Sequence, residues 1–388
     1  MEPHVALLPS AGMGHLMPFL RLAAMLASRN CKVTLLTAQP TVSTAESNHL
    51  NSFFAAHPHI QRLDFHFEAI ICSVHLLPPL LSSLSPPISA LFLDIDAATC
   101  VDQLADDPSL SISYYILSTT SARFFSLITH LPHLTLEGSC KYLQLPGLPS
   151  FSISNIPPPL FNPENLFTTQ LISNARAISK VKGVVFNTFH WFEAETIEAL
   201  NNGKTMINHP HILPLGPFKS YESIGDHTSL PDWLDEQPAK SVVFVSFGSR
   251  TAMSKDQIKE LGEGLLKSKQ KFFWVLKSVK VDKVEETGLA ELLGSSLLER
   301  IKEKRQGLVV KGWEGLVDEG LWPKHWGWLG ERLLKSEEIE EKIEELMQDH
   351  KFRSMAQKVG EEATQAQEIG GTSYKGLGQI IEMLKLKV

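Results

Sequence analysis

The chain opens on a short unbroken apolar run, Val5-Ala6-Leu7-Leu8, and then breaks at Pro9-Ser10-Ala11-Gly12-Met13-Gly14. Apolar residues without polar alternation read as a strand covered on both faces, and the Pro/Gly break reads as a tight turn. Leu16 to Ala27 carries apolar residues at helical spacing, and Lys32 to Leu36 reads as the next strand. A strand, a crossover helix and a second strand predict a parallel sheet covered by helices. The same signal recurs at Ala90 to Leu93, which closes on Asp94, at Ser113 to Leu117 and at Gly183 to Asn187.

Two proline clusters, Leu145 to Pro149 and Ile156 to Pro159, predict a long, stiff surface loop. Periodicity fades from Leu215-Gly216-Pro217-Phe218 to about Ala239 and then restarts. Ser241 to Val245 reads as a strand, Phe247-Gly248-Ser249 as a turn and Lys255 to Leu266 as a helix. Phe272 to Leu276 and Leu308 to Val310 read as further strands. The pattern predicts a first α/β domain over 1–218, a linker over 219–240 and a second α/β domain over 241–388, with two similar halves facing each other across a cleft. From Ser336 onward the chain is charged, with Ile339, Ile343, Leu346 and Met347 on one stripe, which predicts an amphipathic surface helix.

With 388 residues there is room for two proper cores. A net charge of -7 argues against a nucleic-acid or anionic-membrane surface. Cys31, Cys72, Cys100 and Cys140 lie far apart in apolar segments, without metal-ligand spacing, so they read as small buried hydrophobes of a reducing compartment. Met1 to His4 has neither a basic leader nor a long apolar segment. A cytosolic monomer without a membrane anchor is the expectation.

Candidate chemistry gathers at the first turn. Gly12-Met13-Gly14-His15-Leu16-Met17 approaches the dinucleotide fingerprint, but Met17 stands where a third glycine belongs, and the second strand ends at Gln39 rather than at an acid. Both disfavour NAD. His15 falls at a helix start beyond the first strand, where ligands bind in open α/β sheets and the helix dipole favours the neutral imidazole a base requires. Asp94, ending another strand, could orient its second ring nitrogen, and Asp96 is a rival for that role. A capping histidine and a strand-ending aspartate would look the same. Ser10 or Ser121 beside His15 could suggest a hydrolase, but no Gly-x-Ser-x-Gly elbow surrounds either. In the second half, Ser246-Phe247-Gly248-Ser249 suits a phosphate or is a turn without a ligand. Trp313, Trp322, Trp326 and Trp328 could stack on a flat ring or fill an interface.

Five stretches in order resemble the plant family of UDP-dependent glycosyltransferases that act on small secondary metabolites. They are Pro9 to Phe19, Gly183 to Phe189, Pro231-Asp232-Trp233-Leu234-Asp235, Ser241 to Ser249 and Val309-Val310-Lys311-Gly312-Trp313. The first of these, with Ser118 to Leu127 and Trp326-Gly327-Trp328, is most similar to a subgroup that attaches glucose to carbon on 2-hydroxyflavanones and related phenolic ketones. The resemblance implies a GT-B-like α/β fold of two facing Rossmann-like domains, the first for the acceptor and the second for a UDP-sugar such as UDP-glucose. It implies His15 as base toward a phenolic or flavonoid acceptor, Asp94 as its helper, inversion at the sugar, and no metal. Gly14, Ser249 and Trp313 are the implied donor-side residues, Ser249 meeting the diphosphate and Trp313 stacking on uracil.

The departure is as informative. After that tryptophan the family has a uracil-binding glutamine, a His-Cys-Gly-Trp-Asn-Ser stretch, a ribose-binding glutamate and an Asp-Gln pair for the sugar. This chain goes from Trp313 directly to Glu314-Gly315-Leu316-Val317-Asp318 and resumes family-like sequence near Gly320-Leu321-Trp322. The second domain is therefore expected to lack strands and a helix. Arg62 to Glu68 also looks abrupt, where the family has a longer acceptor-side loop before a helix that Glu68 begins. Four or five lost polar contacts at roughly 1.5–3 kcal/mol each would remove most of the roughly 8 kcal/mol of micromolar binding. Impaired transfer is expected, the alternative being an inactive relative that binds a phenol or a full-length family member.

Overall fold

The computed structural model describes residues 2–41, 43–66, 73–134, 136, 141–203, 210–221, 232–247, 253–276, 288–311 and 333–385. Its strands are β1 (His4–Leu8), β2 (Lys32–Gln39), β3 (Gln61–His66), β4 (Ala90–Asp94), β5 (Ser113–Ser118), β6 (Tyr142–Leu143), β7 (Phe151–Ser152), β8 (Gly183–Phe186), β9 (His211–Pro214), β10 (Val242–Ser246), β11 (Lys271–Leu276) and β12 (Gly307–Lys311). The longer helices are α1 (Met13–Ala27), α2 (Thr44–Ala56), α3 (Ala122–His130), α4 (Leu166–Ala177), α5 (His190–Asn201), α6 (Lys255–Lys267), α7 (Ser295–Glu303), α8 (Ser336–Gln348), α9 (His350–Gln367) and α10 (Thr372–Lys385).

In the first unit seven strands form one parallel sheet in the order β3-β2-β1-β4-β5-β8-β9. The apolar run of β1 serves both faces of this sheet. Val5 and Leu7 join a core with Phe19, Leu20 and Phe53, while Ala6 and Leu8 join another with Leu93, Ile116 and Phe125. That is the period-two logic of a strand buried on both sides. His4, in the same strand, is also buried. Its Nδ1–H donates to the Pro86 carbonyl at 2.5 Å, and its Nε2 lies 2.8 Å from the Thr34 hydroxyl. Burial holds its pKa below the ordinary histidine value, with the Pro86 bond opposing the shift.

Strands β3 and β9 were not foreseen from the hydrophobic pattern. Gln61-Arg62-Leu63-Asp64-Phe65-His66 is an edge strand in which polar side chains dominate, and His211-Ile212-Leu213-Pro214 is short and ends on proline. The proline-rich stretch is a surface loop only in part. It forms the small hairpin β6–β7, and Leu145, Leu148, Ile156 and Leu160 are buried in the core.

The second unit holds a parallel three-stranded sheet, β10-β11-β12, among the described residues. Its helix α6 buries Ile258, Leu261, Leu265 and Leu266, an i, i+3, i+7, i+8 stripe, and is capped by Ser254 Oγ, which accepts the Gln257 N–H at 3.2 Å. Helix α8 lies on α6 with Ile339 and Ile343 buried. A Cβ on Gly264 would come within 2.7 Å of Ile339, so glycine sets that approach.

One domain expectation is corrected. The sequence pattern predicts a second domain over 241–388, yet residues 359–385 belong to the first unit. The reason is hydrophobic. Leu377, Ile380, Ile381 and Leu384 on α10 enter the core of Val5, Leu7 and Phe19, and the Ser373 hydroxyl donates to the Gly216 carbonyl at 2.5 Å. Residues 222–231 of the linker expected over 219–240 fall outside the described residues.

Candidate active site

The strand order reverses direction between β1 and β4, and the carboxyl ends of two such strands flank the crevice that ligands occupy in open α/β sheets. Leu8 pairs with Leu93 there, so the turn after β1 and the residue closing β4 are neighbours. These are the segments that carry His15 and Asp94.

His15 Nδ1–H donates to Asp94 Oδ2 at 2.9 Å. The Asp94 side chain is 0% exposed and that of His15 15% exposed. The other Asp94 oxygen, Oδ1, accepts the Asp96 N–H at 2.9 Å and caps the turn Ile95–Ala97. A carboxylate on Nδ1 fixes the neutral tautomer, with the proton on Nδ1 and the basic lone pair on Nε2. Such an arrangement is one that can orient an imidazole for general-base work. Asp96 faces the other nitrogen: its Oδ2 lies 3.7 Å from Nε2 and its side chain is 48% exposed. The Nδ1 position belongs to Asp94.

His15, Asp94 and Asp96 also offer ligand atoms within 4.8 Å of one another, a spacing that could hold a metal ion. Both Asp94 oxygens are already engaged, one by His15 and one by the Asp96 N–H, so the geometry suits ring orientation better than three open ligands.

Several supporting groups were not visible in the sequence. The Thr119 hydroxyl stands 3.4 Å from His15 Nδ1. Buried Asn174 donates to the Asp96 carbonyl and accepts the Thr99 N–H, both at 3.3 Å, bracing the turn after Asp94. Glu193 accepts the N–H groups of Ala122 and Arg123 at 3.1 Å each, closing the first turn of α3 just beyond Thr119. These donors are backbone groups about 70 residues away in the chain, and no local pattern announces them.

Gly14 lies in the first turn of α1, where an added Cβ would meet no described atom within 4 Å. Gln39, read as unsuited to a ribose diol, donates to Asp64 Oδ1 at 3.2 Å. Partial burial works to raise the Asp64 pKa. Bonds from Thr37, Arg62 and Gln39 outweigh it, and the carboxyl is held below its usual range. Cys31 and Cys100 are buried free thiols, each pushed up to about 11 by burial. Ser249 and Trp313 lie outside the described residues, as do Trp322, Trp326, Trp328, Glu68, Cys72 and Cys140. Among the described residues no helix is long and apolar enough to cross a membrane.

No protein-family model matches the chain. Individual relatives match it strongly. UDP-glycosyltransferase 708C1 of Fagopyrum esculentum is 41% identical over 445 residues, covering 99% of this chain and 96% of the relative. UDP-glycosyltransferase CGT of Oryza sativa subsp. indica is 35% identical over 458 residues, covering 98% and 96%. The crystal structure of LpCGTa in complex with UDP superposes with a TM-score of 0.83 at 35% identity, covering 99% of each chain. Medicago truncatula UGT71G1 complexed with UDP-glucose gives 0.81 at 22%, covering 99% and 98%, a likeness of fold. The first alignment spans 445 residues against 388 in the whole chain, so at least 57 aligned positions of that relative have no counterpart here.

Proposed function

The chain belongs to the plant UDP-glycosyltransferase family, and on that premise we propose that it retains the acceptor-activating half of a glucosyl transfer to a small phenol but only part of the donor site. The fold is that of GT-B plant glycosyltransferases, and the observation that carries the reading is the His15–Asp94 pair at 2.9 Å.

In the transfer, Nε2 of His15 takes the phenolic proton, and the imidazolium is stabilised by the Asp94 carboxylate on Nδ1. The phenolate spreads its charge onto ring carbons ortho and para to oxygen. Either the oxygen or such a carbon forms the new bond to the anomeric carbon. UDP departs from the opposite face with the electron pair of the broken bond, which inverts the sugar. On the carbon route the ring proton is then lost to restore aromaticity. The names of the rice relative and of LpCGTa, each carrying CGT, support carbon attachment; a phenolic ketone of the flavonoid class is the proposed acceptor. UDP-glucose is the proposed donor.

The second part of the proposal concerns the donor. The direct passage from Trp313 to Glu314 removes the stretch that in the family grips uracil, ribose, diphosphate and sugar, and the relative's unmatched positions support this. Transfer by this chain is then weak or absent, and acceptor binding persists. The test is to insert at Trp313–Glu314 the segment that Fagopyrum 708C1 carries there. Turnover of a phenolic ketone with UDP-glucose should appear in the repaired chain and disappear again with His15→Ala. A repaired chain that works equally well without His15 would remove the base assignment.

A further inference from the structure

Helix α1 carries His15 in its first turn but begins without a side-chain cap, because its N-cap residue is Gly12. Gly12 holds φ at +104°, a conformation L side chains rarely adopt. Its carbonyl accepts the N–H groups of both His15 and Leu16, each at 2.9 Å. The placement of the His15 backbone thus follows the backbone at Gly12, and a glycine has no side chain of its own to hold it.

Glu46 supplies the restraint. Its Oε1 accepts the Gly12 N–H at 2.6 Å, and the residue is 5% exposed. Glu46 lies in the first turn of α2, where Ser43-Thr44-Ala45-Glu46 spells a capping box. Ser43 plays its half, its hydroxyl accepting the Glu46 N–H at 3.2 Å. The acid of such a box ordinarily turns back to its own N-cap, yet this carboxylate reaches the β1–α1 turn, 34 residues away in the chain. A buried carboxylate is costly unless its hydrogen bonds are good, and the short bond to Gly12 N–H is of the charge-assisted kind that offsets the cost. It also places negative charge at the start of α1, where the helix favours it and where α1 has no acid of its own.

We infer that Glu46 is a positioning residue for His15: by anchoring the Gly12 N–H it restrains the Gly12 backbone whose carbonyl holds His15, and so keeps the imidazole in line with Asp94. The inference rests on the reading of His15 as the base. Hydrogen bonds weaken steeply off their axis, so a small rotation of the turn releases Nδ1–H from Asp94 and with it the tautomer that leaves Nε2 basic.

The experiment reads the tautomer in the full chain, labelled with ¹⁵N-histidine and kept at about pH 8, where the unperturbed imidazole is neutral. The His15 resonances are identified by their loss in His15→Ala. Wild type and Glu46→Gln should share the Nδ1–H tautomer, because the amide oxygen still reaches Gly12. Glu46→Asp, one methylene shorter, should shift the ratio severalfold toward Nε2–H with unchanged circular dichroism. An unchanged ratio in Glu46→Asp, or a loss confined to Glu46→Gln, overturns the inference. If Glu46→Asp does not fold, exchange of the Gly12 amide in the unaltered chain decides. Protection matching that of the α1 amides supports the Glu46 bond, and exchange at the rate of an open turn overturns it. Neither readout needs turnover, so rejecting the base by activity and rejecting Glu46 by tautomer are separate results.

Discussion

Asp94, its side chain fully buried, holds His15 by Nδ1 at 2.9 Å, while Asp96 stands 3.7 Å from Nε2. One carboxylate therefore sets the tautomer and the other faces the nitrogen that would meet an acceptor. Asp94→Asn in the repaired chain tests this division. An amide can present N–H to Nδ1 and so move the ring proton to Nε2, disabling the base. Steady-state assays should show a fall in kcat of about 10²–10⁴-fold, whereas Asp96→Asn should retain most of the rate. Equal losses in both would reassign the helper.

His4 predicts a pH effect on stability. Its folded pKa lies below the ordinary value of 6.5 because the ring is buried. Below about pH 6.5 the unfolded chain takes up a proton that the folded chain resists, so stability falls as pH drops from that point toward the folded pKa. Above it the residue contributes no slope. Urea titrations at a series of pH values should show this acid-side loss, and His4→Gln should flatten it. A slope unchanged by the substitution would trace it to other groups.

The C-terminal helix makes the first unit depend on the end of the chain. Ile380 is fully buried in the core of β1 and α1, so Ile380→Ala should cost about 2–5 kcal/mol, read by equilibrium denaturation. A loss under about 1 kcal/mol would contradict the packing described.

Gly264 makes the corresponding prediction for the second unit. A side chain there meets Ile339 at 2.7 Å and the Ser336 carbonyl at 2.8 Å. Gly264→Val should therefore force α8 off α6 and destabilise by about 1–3 kcal/mol. A rise in melting temperature would show that α8 can shift freely.

The central strands could be read from the chain because a parallel strand buried on both faces is an unbroken apolar run, as in Val5 to Leu8 and Ala90 to Leu93. His15 and Asp94 could be located because strand ends in such a sheet are where ligands bind. Strand β3 was hidden because an edge strand needs little apolar surface, and Gln61 to His66 alternates weakly. The home of α10 was hidden for another reason. Its stripe of Leu377, Ile380, Ile381 and Leu384 requires a buried face but does not say against which core. Glu46 and Glu193 were missed because each spends its carboxylate on backbone N–H groups distant in sequence, a partnership that residue types do not encode.

Isothermal titration with UDP-glucose tests most directly the proposal that the acceptor side is built and the donor side incomplete. With the chain as it stands, no saturable UDP-glucose binding should be seen, while a phenolic ketone such as a 2-hydroxyflavanone binds. Saturable micromolar binding of UDP-glucose together with glucoside formation would contradict it.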